Sequence, residues 1–251
     1  MNNNVSNQCF HFTIGPVQGF VAQARRTRDF WAGSFILSWL SAVAMKAVEN
    51  NGGEVIFPKV DGDFLNWLEG NETGSMPVQG SVPNRFKAEV VVGFNPKIVV
   101  DVVNAAWEAL AAEVYKNDLQ PVVANGATRE IWDRQIKGFW EINWAISENK
   151  KDSTLLDRCK NWRSHLPPDE PGLKCMMMDG WQELSGIERP GRKKREELDR
   201  FWGEIRNQGM NGIKSDLREG EQLCAIAFVK RRFSRWFDKV EKDMVGWKLK
   251  G

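Results

Sequence analysis

Apolar and polar residues alternate at the start of the chain: Phe10, Phe12 and Ile14 interleave with Cys9, His11 and Thr13, the period of two of a strand. At Gly15-Pro16 the period changes. Val17, Phe20, Val21 and Ala24 then recur at helical spacing, so a strand turns into a helix. Asp29 reads as the N-cap of a second helix carrying Phe30, Phe35, Leu37, Leu40, Val43 and Ala47, and Asn50-Asn51-Gly52-Gly53 stops it. Glu54–Phe57 is a short strand ended by Pro58. A variable connection follows from Val60 to Asn84, with one helical turn around Phe64–Leu68. Phe86–Phe94 reads as a Val-rich third strand. Asn95-Pro96 opens a helix with Val99, Val102, Val103, Ala106, Leu110 and Val114 on one face. After a short helix near Thr128–Ile136, Lys137–Ile146 alternates again as a fourth strand.

The order β-α-β-β-α-β predicts an α+β fold of the split βαβ, ferredoxin-like kind, an antiparallel sheet with two helices on one face, over residues 1–147. Beyond Ser147 the character changes. Leu155–Leu166 reads as a helix ended by Pro167-Pro168. The segments KCMMMDGWQEL and ELDRFWGEIRN follow, then a Gly-rich turn around Gly209–Gly212, and then a helix from about Gln222. Residues 148–251 are expected to form a small, mostly helical lobe.

With 42% hydrophobic and 27% charged residues in 251, the chain reads as globular rather than disordered. The formal net charge of +2 is too small to imply nucleic acid by itself. No run of about twenty apolar residues suggests a membrane span, and MNNNVSNQ lacks a basic-then-apolar leader pattern, so a cytoplasmic protein with no membrane partner is expected. The four cysteines, Cys9, Cys159, Cys175 and Cys224, are scattered and read as reduced. Many of the twelve Trp, among them Trp107, Trp132, Trp140, Trp162, Trp202, Trp236 and Trp247, stand near charged residues, which suggests partner surfaces as well as core.

No catalytic set is evident: no Gly-x-Ser-x-Gly, no Walker-type loop, and two histidines, His11 and His165, without metal-ligand spacing. Asp61-Gly62-Asp63 places two carboxylates on a turn, a Mg²⁺-compatible pattern that reads as a plain surface turn because such sites need further ligands. The turn at Gly15, Pro16 and Gln18, together with Arg25, Arg26, Arg28 and Ser34, could bind a phosphate or an RNA backbone; the plainer reading is a chain reversal beside solvated arginines. Two basic runs combine cations with aromatics, as RNA-binding surfaces do: Arg189, Arg192, Lys193, Lys194 and Arg195 form one, and Lys230, Arg231 and Arg232, followed by Phe233 and Trp236, the other. Cys175 and Cys224 each stand where a C-x-x-C could begin, but Met178 and Ala227 occupy the second positions, so no metal ligands are assigned and zinc is not expected.

These residues also carry a resemblance. GPVQGFVAQARRTRDFWAGSFILSWLSAVA, followed by EVIFP and by VPNRF at Val82–Phe86, is similar to the first palm domain of the large subunit of type III, Cmr-type, CRISPR RNA-guided effector complexes. LLDRCKNWRSH, KCMMMDGWQEL and GEQLCAIAFVKRRF resemble that family's zinc-binding region, here degenerate. The resemblance implies two palms with ATP between them, a Gly-Gly-Asp-Asp motif in the second, and in many members an HD nuclease domain. Neither the second palm with its motif nor the nuclease is expected in this sequence, and half of the expected zinc cysteines are replaced by Met178 and Ala227. The expectation is therefore a non-catalytic component of an antiviral ribonucleoprotein with no cofactor of its own. It would contact crRNA or target RNA and other CRISPR effector subunits through the basic residues named above. Two alternatives stand beside it. One is half of a split cyclase, where ATP and Mg²⁺ would need a partner palm and Gly15–Gln18 and Ser34 would lie near the nucleotide. The other is a fragment of a longer catalytic subunit.

Overall fold

The computed structural model describes residues 8–60, 64–65, 79–123, 126–148, 154, 156, 168–189 and 191–240. The turn Asp61-Gly62-Asp63, the expected helix over Leu155–Leu166 as a whole, Cys159, Trp162, His165 and Trp247 lie outside the described residues.

The opening alternation forms β1 (Gln8–Gly15). Its antiparallel partners are β3 (Arg85–Val90), with Phe12 opposite Phe86, and β4 (Glu141–Ser147), with Phe12 opposite Trp144. β2 (Glu54–Phe57) joins the far edge of β3 through a register shift between Val55 and Phe57. The result is a four-stranded antiparallel sheet in the order β2-β3-β1-β4. Because β1 is central, every residue from Cys9 to Gly15 is buried, including the His11 and Thr13 side of the alternation; His11 Nε2 meets Ser147 Oγ at 3.0 Å.

Helix entry follows local chemistry more than period. The segment after Gly15-Pro16 makes only one turn, α1 (Gln18–Val21), and the long helix α2 (Thr27–Asn50) starts afresh. Asp29 sits in the first turn of α2, not at its N-cap, and reaches back to accept from the amides of Arg25 and Arg26 at 3.2 and 3.1 Å. Phe30, assigned to the core stripe by spacing, is 53% exposed. α2 is long and apolar enough to cross a membrane by length and composition, yet 83% of its apolar window is buried inside the fold, as befits a core helix. Helix α3 (Pro96–Val114) is capped as its sequence suggests, the Asn95 side chain accepting from the amide of Lys97 at 3.1 Å. It runs into a π-helical turn over Tyr115–Leu119. Then α4 (Gly126–Lys137) carries the chain back to β4, which starts at Glu141, later than the alternation suggested, because Lys137 ends a helix.

The C-terminal part contributes α5 (Arg192–Asn207), the single turn α6 (Ile213–Asp216) and α7 (Ala225–Trp236). One apolar core runs across position 147/148, where two units were expected to meet: Phe233 (tilted) and Phe237 (edge-on) of the C-terminal part pack against Phe35 of α2 at 5.5 and 5.8 Å between ring centres. The charge-flanked tryptophans are largely core. Trp107, Trp132, Trp202 and Trp236 are all buried, while Trp144 is 44% exposed.

Gly33 shows how tightly α2 is seated. A Cβ there would stand 2.7 Å from Lys230 Cε and 3.2 Å from Val21 Cα. Alanine is the better helix former by about 1 kcal/mol, yet Gly33→Ala is expected to destabilise the protein by about 1–3 kcal/mol, the usual cost of overpacking. A urea titration of the two proteins measures it, and a stabilised variant would contradict the close approach.

Candidate nucleic-acid interface

The two arginine-rich stretches expected to form a surface meet instead inside the protein. Lys230, Arg231 and Arg232 on α7 are 1%, 3% and 1% exposed. This corrects their assignment as RNA contacts, and the reason is the set of acids they reach. Arg231 Nε donates to Asp29 Oδ1 at 2.6 Å and its Nη2 to Asp29 Oδ2 at 3.0 Å, a two-pronged pair. The same guanidinium donates to Glu221 Oε2 at 2.8 Å. Glu221 also takes Arg26 at 3.0 Å, so Arg26 too is drawn away from solvent. Arg232 pairs with Asp118 at 2.7 Å and with Asp216, and Asp216 in turn holds Arg28 at 2.5 Å. Trp236 Nε1 donates to the same Asp118 carboxylate at 2.7 Å. Asp118 stands in the π-helical turn that ends α3, a local widening of the helix at the point where the carboxylate meets α7.

Lys230 has a different role. Its Nζ donates to the carbonyls of Phe20 and Gln23, the latter at 2.8 Å, and lies 4.9 Å from the centre of the Phe20 ring. It thus supplies a cation to the C-terminal end of α1 and to the loop after it. Burial brings the Lys230 ammonium down to about 8, against the opposing pull of Asp29. For Glu221, burial works to raise the carboxylate, but hydrogen bonds from Arg231 and the Arg218 amide outweigh it and lower it. Desolvation is also the leading reason why Arg26 is lowered.

The remaining sequence candidates separate by position. Gly15 is buried, Pro16 and Ser34 are half-buried, and Gln18 is exposed in α1. Arg26 and Arg28 are committed to Glu221 and Asp216, so the structure does not gather them around the Gly15-Pro16 turn. Arg25 is exposed, its Nη1 3.5 Å from the Met176 carbonyl. Arg189, Arg192, Lys193, Lys194 and Arg195 are all exposed; the last four form the first turn of α5, which contains no acidic residue. Positive side chains therefore surround a helix end that already carries partial positive charge, an arrangement that attracts anions. The opposite side of α5 buries Leu198, Trp202 and Ile205, and Trp202 Nε1 donates to Glu183 at 2.8 Å, so the basic turn rides on a fixed helix. Burial raises the Glu183 carboxyl, partly offset by hydrogen bonds from Ser185 and Trp202.

Cys175 and Cys224 are brought together. Cys175 Sγ accepts from the amides of Met177 and Met178 at 3.4 and 3.3 Å, and Cys224 Sγ from Ala227 at 3.5 Å. Burial opposes the Cys175 thiolate, but hydrogen bonds from Cys224 and these amides outweigh it and bring the thiol down to about 7; burial and Cys175 itself push Cys224 up. Ala227 supplies no ligand, and among the described residues no group of three His, Cys, Asp or Glu side chains could hold a metal ion.

The acids Asp118, Asp216 and Glu221 escaped the sequence reading. The available signal was indirect: a cationic triplet inside CAIAFVKRRF, where neighbours on every side are apolar, requires buried counter-charges somewhere in the chain.

Residues 9–122 match the family model described as CRISPR-associated protein Cmr2, N-terminal. The Cmr2 subunit of the CRISPR system of Pyrococcus furiosus is 27% identical over 120 residues, which make up 46% of this chain and 14% of that protein. Over this region the chain is similar to the N-terminal part of Cmr2. Two solved structures share the fold. A chain of the apo type III-B Cmr-beta complex matches with a TM-score of 0.62 and 15% identity, over 98% of this chain and 33% of its own length. A chain of the Cmr-beta complex bound to cognate target RNA matches with a TM-score of 0.56 and 15% identity, over 90% of this chain and 32% of its own. The chain thus spans a third or less of these relatives. The matched Cmr2 region, 9–122, contains Arg26, Arg28, Asp29 and Asp118, while their partners Glu221, Asp216, Arg231 and Arg232 lie beyond it.

Removing one side of a buried ion pair leaves the other uncompensated, at a cost of about 3–5 kcal/mol. Arg231→Met should destabilise the protein by that amount in chemical denaturation, and adding Asp29→Asn should cost far less than the sum of the two single changes. Strict additivity would show that the pair is not coupled. Lys230 makes a separate prediction. Its folded value, about 8, lies below the ordinary lysine value of 10.5, so the unfolded chain holds more protons between the two. Stability relative to Lys230→Met should therefore rise with pH across that interval and fall away as pH drops through 8. Thermal melts of both proteins at stepped pH test the sign.

Proposed function

We propose that the chain acts as a non-catalytic large-subunit component of a type III CRISPR RNA-guided effector, in contact with crRNA or target RNA and with neighbouring subunits. The observation that carries this reading is the Cmr2 N-terminal match over 9–122 together with a shared fold across nearly the whole chain. The finer reading of the sheet is a ferredoxin-like palm. The order β2-β3-β1-β4, with α2 and α3 placed between successive strands, supports it. The non-catalytic role is inferred from the sequence, which contains no Gly-Gly-Asp-Asp motif and no set of residues suited to nucleotidyl or phosphodiester chemistry.

The burial of Lys230, Arg231 and Arg232 narrows the candidate RNA contacts to the exposed cations. These are Arg25, the group Arg189, Arg192, Lys193, Lys194 and Arg195, and Arg28, which is exposed but paired with Asp216. Long guanidinium and ammonium side chains on a rigid helix end suit phosphate contacts, which give affinity without sequence preference.

Two measurements test this. The tagged chain, recovered from its host, is expected to bring down crRNA-bearing subunits; a chain that never does so contradicts the assignment. Reversing the basic turn (Arg192→Glu, Lys193→Glu, Lys194→Glu and Arg195→Glu together) should weaken RNA binding by the assembled complex at least about tenfold. It should also flatten the salt dependence, by up to about 3 in the logarithmic slope if all four cations contact phosphates of single-stranded RNA. The exposed positions should leave the melting temperature almost unchanged. An unaltered slope would remove this helix end from the RNA path.

A further inference from the structure

Cys175 and Cys224 are held side by side by backbone contacts that do not involve sulfur. The amide of Met176 donates to the carbonyl of Gln222 at 2.9 Å, and the amide of Leu184 to that of Leu223 at 3.1 Å. These bonds lay the loop after Lys174 along the residues that lead into α7, and Cys224 is the N-cap of that helix. Each thiol faces backbone N–H groups: Cys175 Sγ those of Met177 and Met178, and Cys224 Sγ that of Ala227. N–H donors stabilise a thiolate, and the thiolate is the reactive form. The pair is also asymmetric in access: Cys175 is 6% exposed and Cys224 fully buried.

We propose that Cys175 and Cys224 form a reversible disulfide on exposure to a hydroperoxide. The Cys175 sulfur attacks one oxygen of the peroxide bond; that bond breaks, hydroxide departs and takes the Cys175 proton as water, and Cys175 becomes a sulfenic acid. The Cys224 sulfur then attacks Cys175 Sγ. The S–O bond breaks, the departing hydroxide takes the Cys224 proton, and the S–S bond is formed. In total two thiols lose two hydrogens and two electrons, and one hydrogen peroxide becomes two waters. Cys175 is the attacking sulfur because a small oxidant can reach it, and Cys224 the resolving one because it lies behind. The product ties the Lys174–Gln182 hairpin to the N-cap of α7, the helix that carries Arg231 and Arg232.

The test uses the whole chain, fully reduced and then freed of reductant. After brief treatment with a small molar excess of hydrogen peroxide and quenching by catalase, the protein is unfolded, alkylated with iodoacetamide and mapped by mass spectrometry. The expected product is a Cys175–Cys224 linked peptide, lighter than the two free peptides by two hydrogens and separated by dithiothreitol, while Cys9 remains alkylated. In Cys224→Ser, Cys175 should stop at the sulfenic acid, trapped by dimedone. If that variant fails to fold, the linked peptide of the unaltered protein decides alone. The proposal is overturned if both cysteines are fully alkylated after peroxide or if Cys175 pairs with Cys159 instead. It also fails if Cys175 advances to the sulfinic acid as fast with Cys224 present as without it. Stoichiometric zinc that protects both thiols from peroxide would overturn it as well, and would place Cys159 or His165 among the ligands.

Discussion

The two-pronged contact between Asp29 and Arg231 is the interaction on which the rest of the structure leans. Asp29 has three tasks at once. It accepts from the amides that open α2, it neutralises a guanidinium on α7, and through Arg231 it connects to Glu221 and Arg26. A carboxylate with no solvent contact tolerates no loss of partner, so the start of α2 and the whole of α7 are positioned by the same group. The second chain of pairs, Arg28–Asp216–Arg232–Asp118, runs parallel to it and ties α6 and the end of α3 into the same junction. Hydrophobic burial supplies the driving force across this interface through Phe35, Phe233 and Phe237, but apolar contact alone is tolerant of sliding. The charges set the register.

This arrangement redistributes charge between interior and surface. Several of the cations that looked suited to a polyanion neutralise acids within the fold, and those left on the surface concentrate around Arg189 and the first turn of α5. The near-neutral net charge therefore conceals a local positive field, set on a helix that Trp202 and Leu198 anchor from behind.

The order of the sheet was readable from the chain because a strand with one apolar face announces itself by period. The third strand nonetheless stops at Val90 and not at Phe94, with Val91 and Val92 exposed in the turn that follows. Phe10, Phe12 and Ile14, the Glu54–Phe57 segment and the Asn95-Pro96 helix start all stand where their patterns place them. What misled was chemistry with two local readings. Asp29 caps its helix from inside the first turn as readily as from the N-cap, and Phe30 fits a helical stripe but faces out. The basic runs were ambiguous for a deeper reason. Arginine on a helix reads the same whether it faces water or a carboxylate, and Asp118, Asp216 and Glu221 are spread over more of the chain than any local pattern spans. The pairing of Cys175 with Cys224 was legible only as two half-motifs; the backbone bonds that bring them together belong to tertiary structure.

The π-helical turn at Tyr115–Leu119 gives the junction a bearing on modularity. It places Asp118 near the end of the region matched to the Cmr2 N-terminal family, while Arg232 and Trp236, which occupy that carboxylate, lie more than a hundred positions further along. A domain cut at the edge of the sequence match would keep Asp29 and Asp118 and lose the cations that neutralise them. It would also lose β4, which pairs along the length of β1. The matched region is therefore not a unit of folding: its central strand and its buried acids are held in shape by residues that lie beyond it.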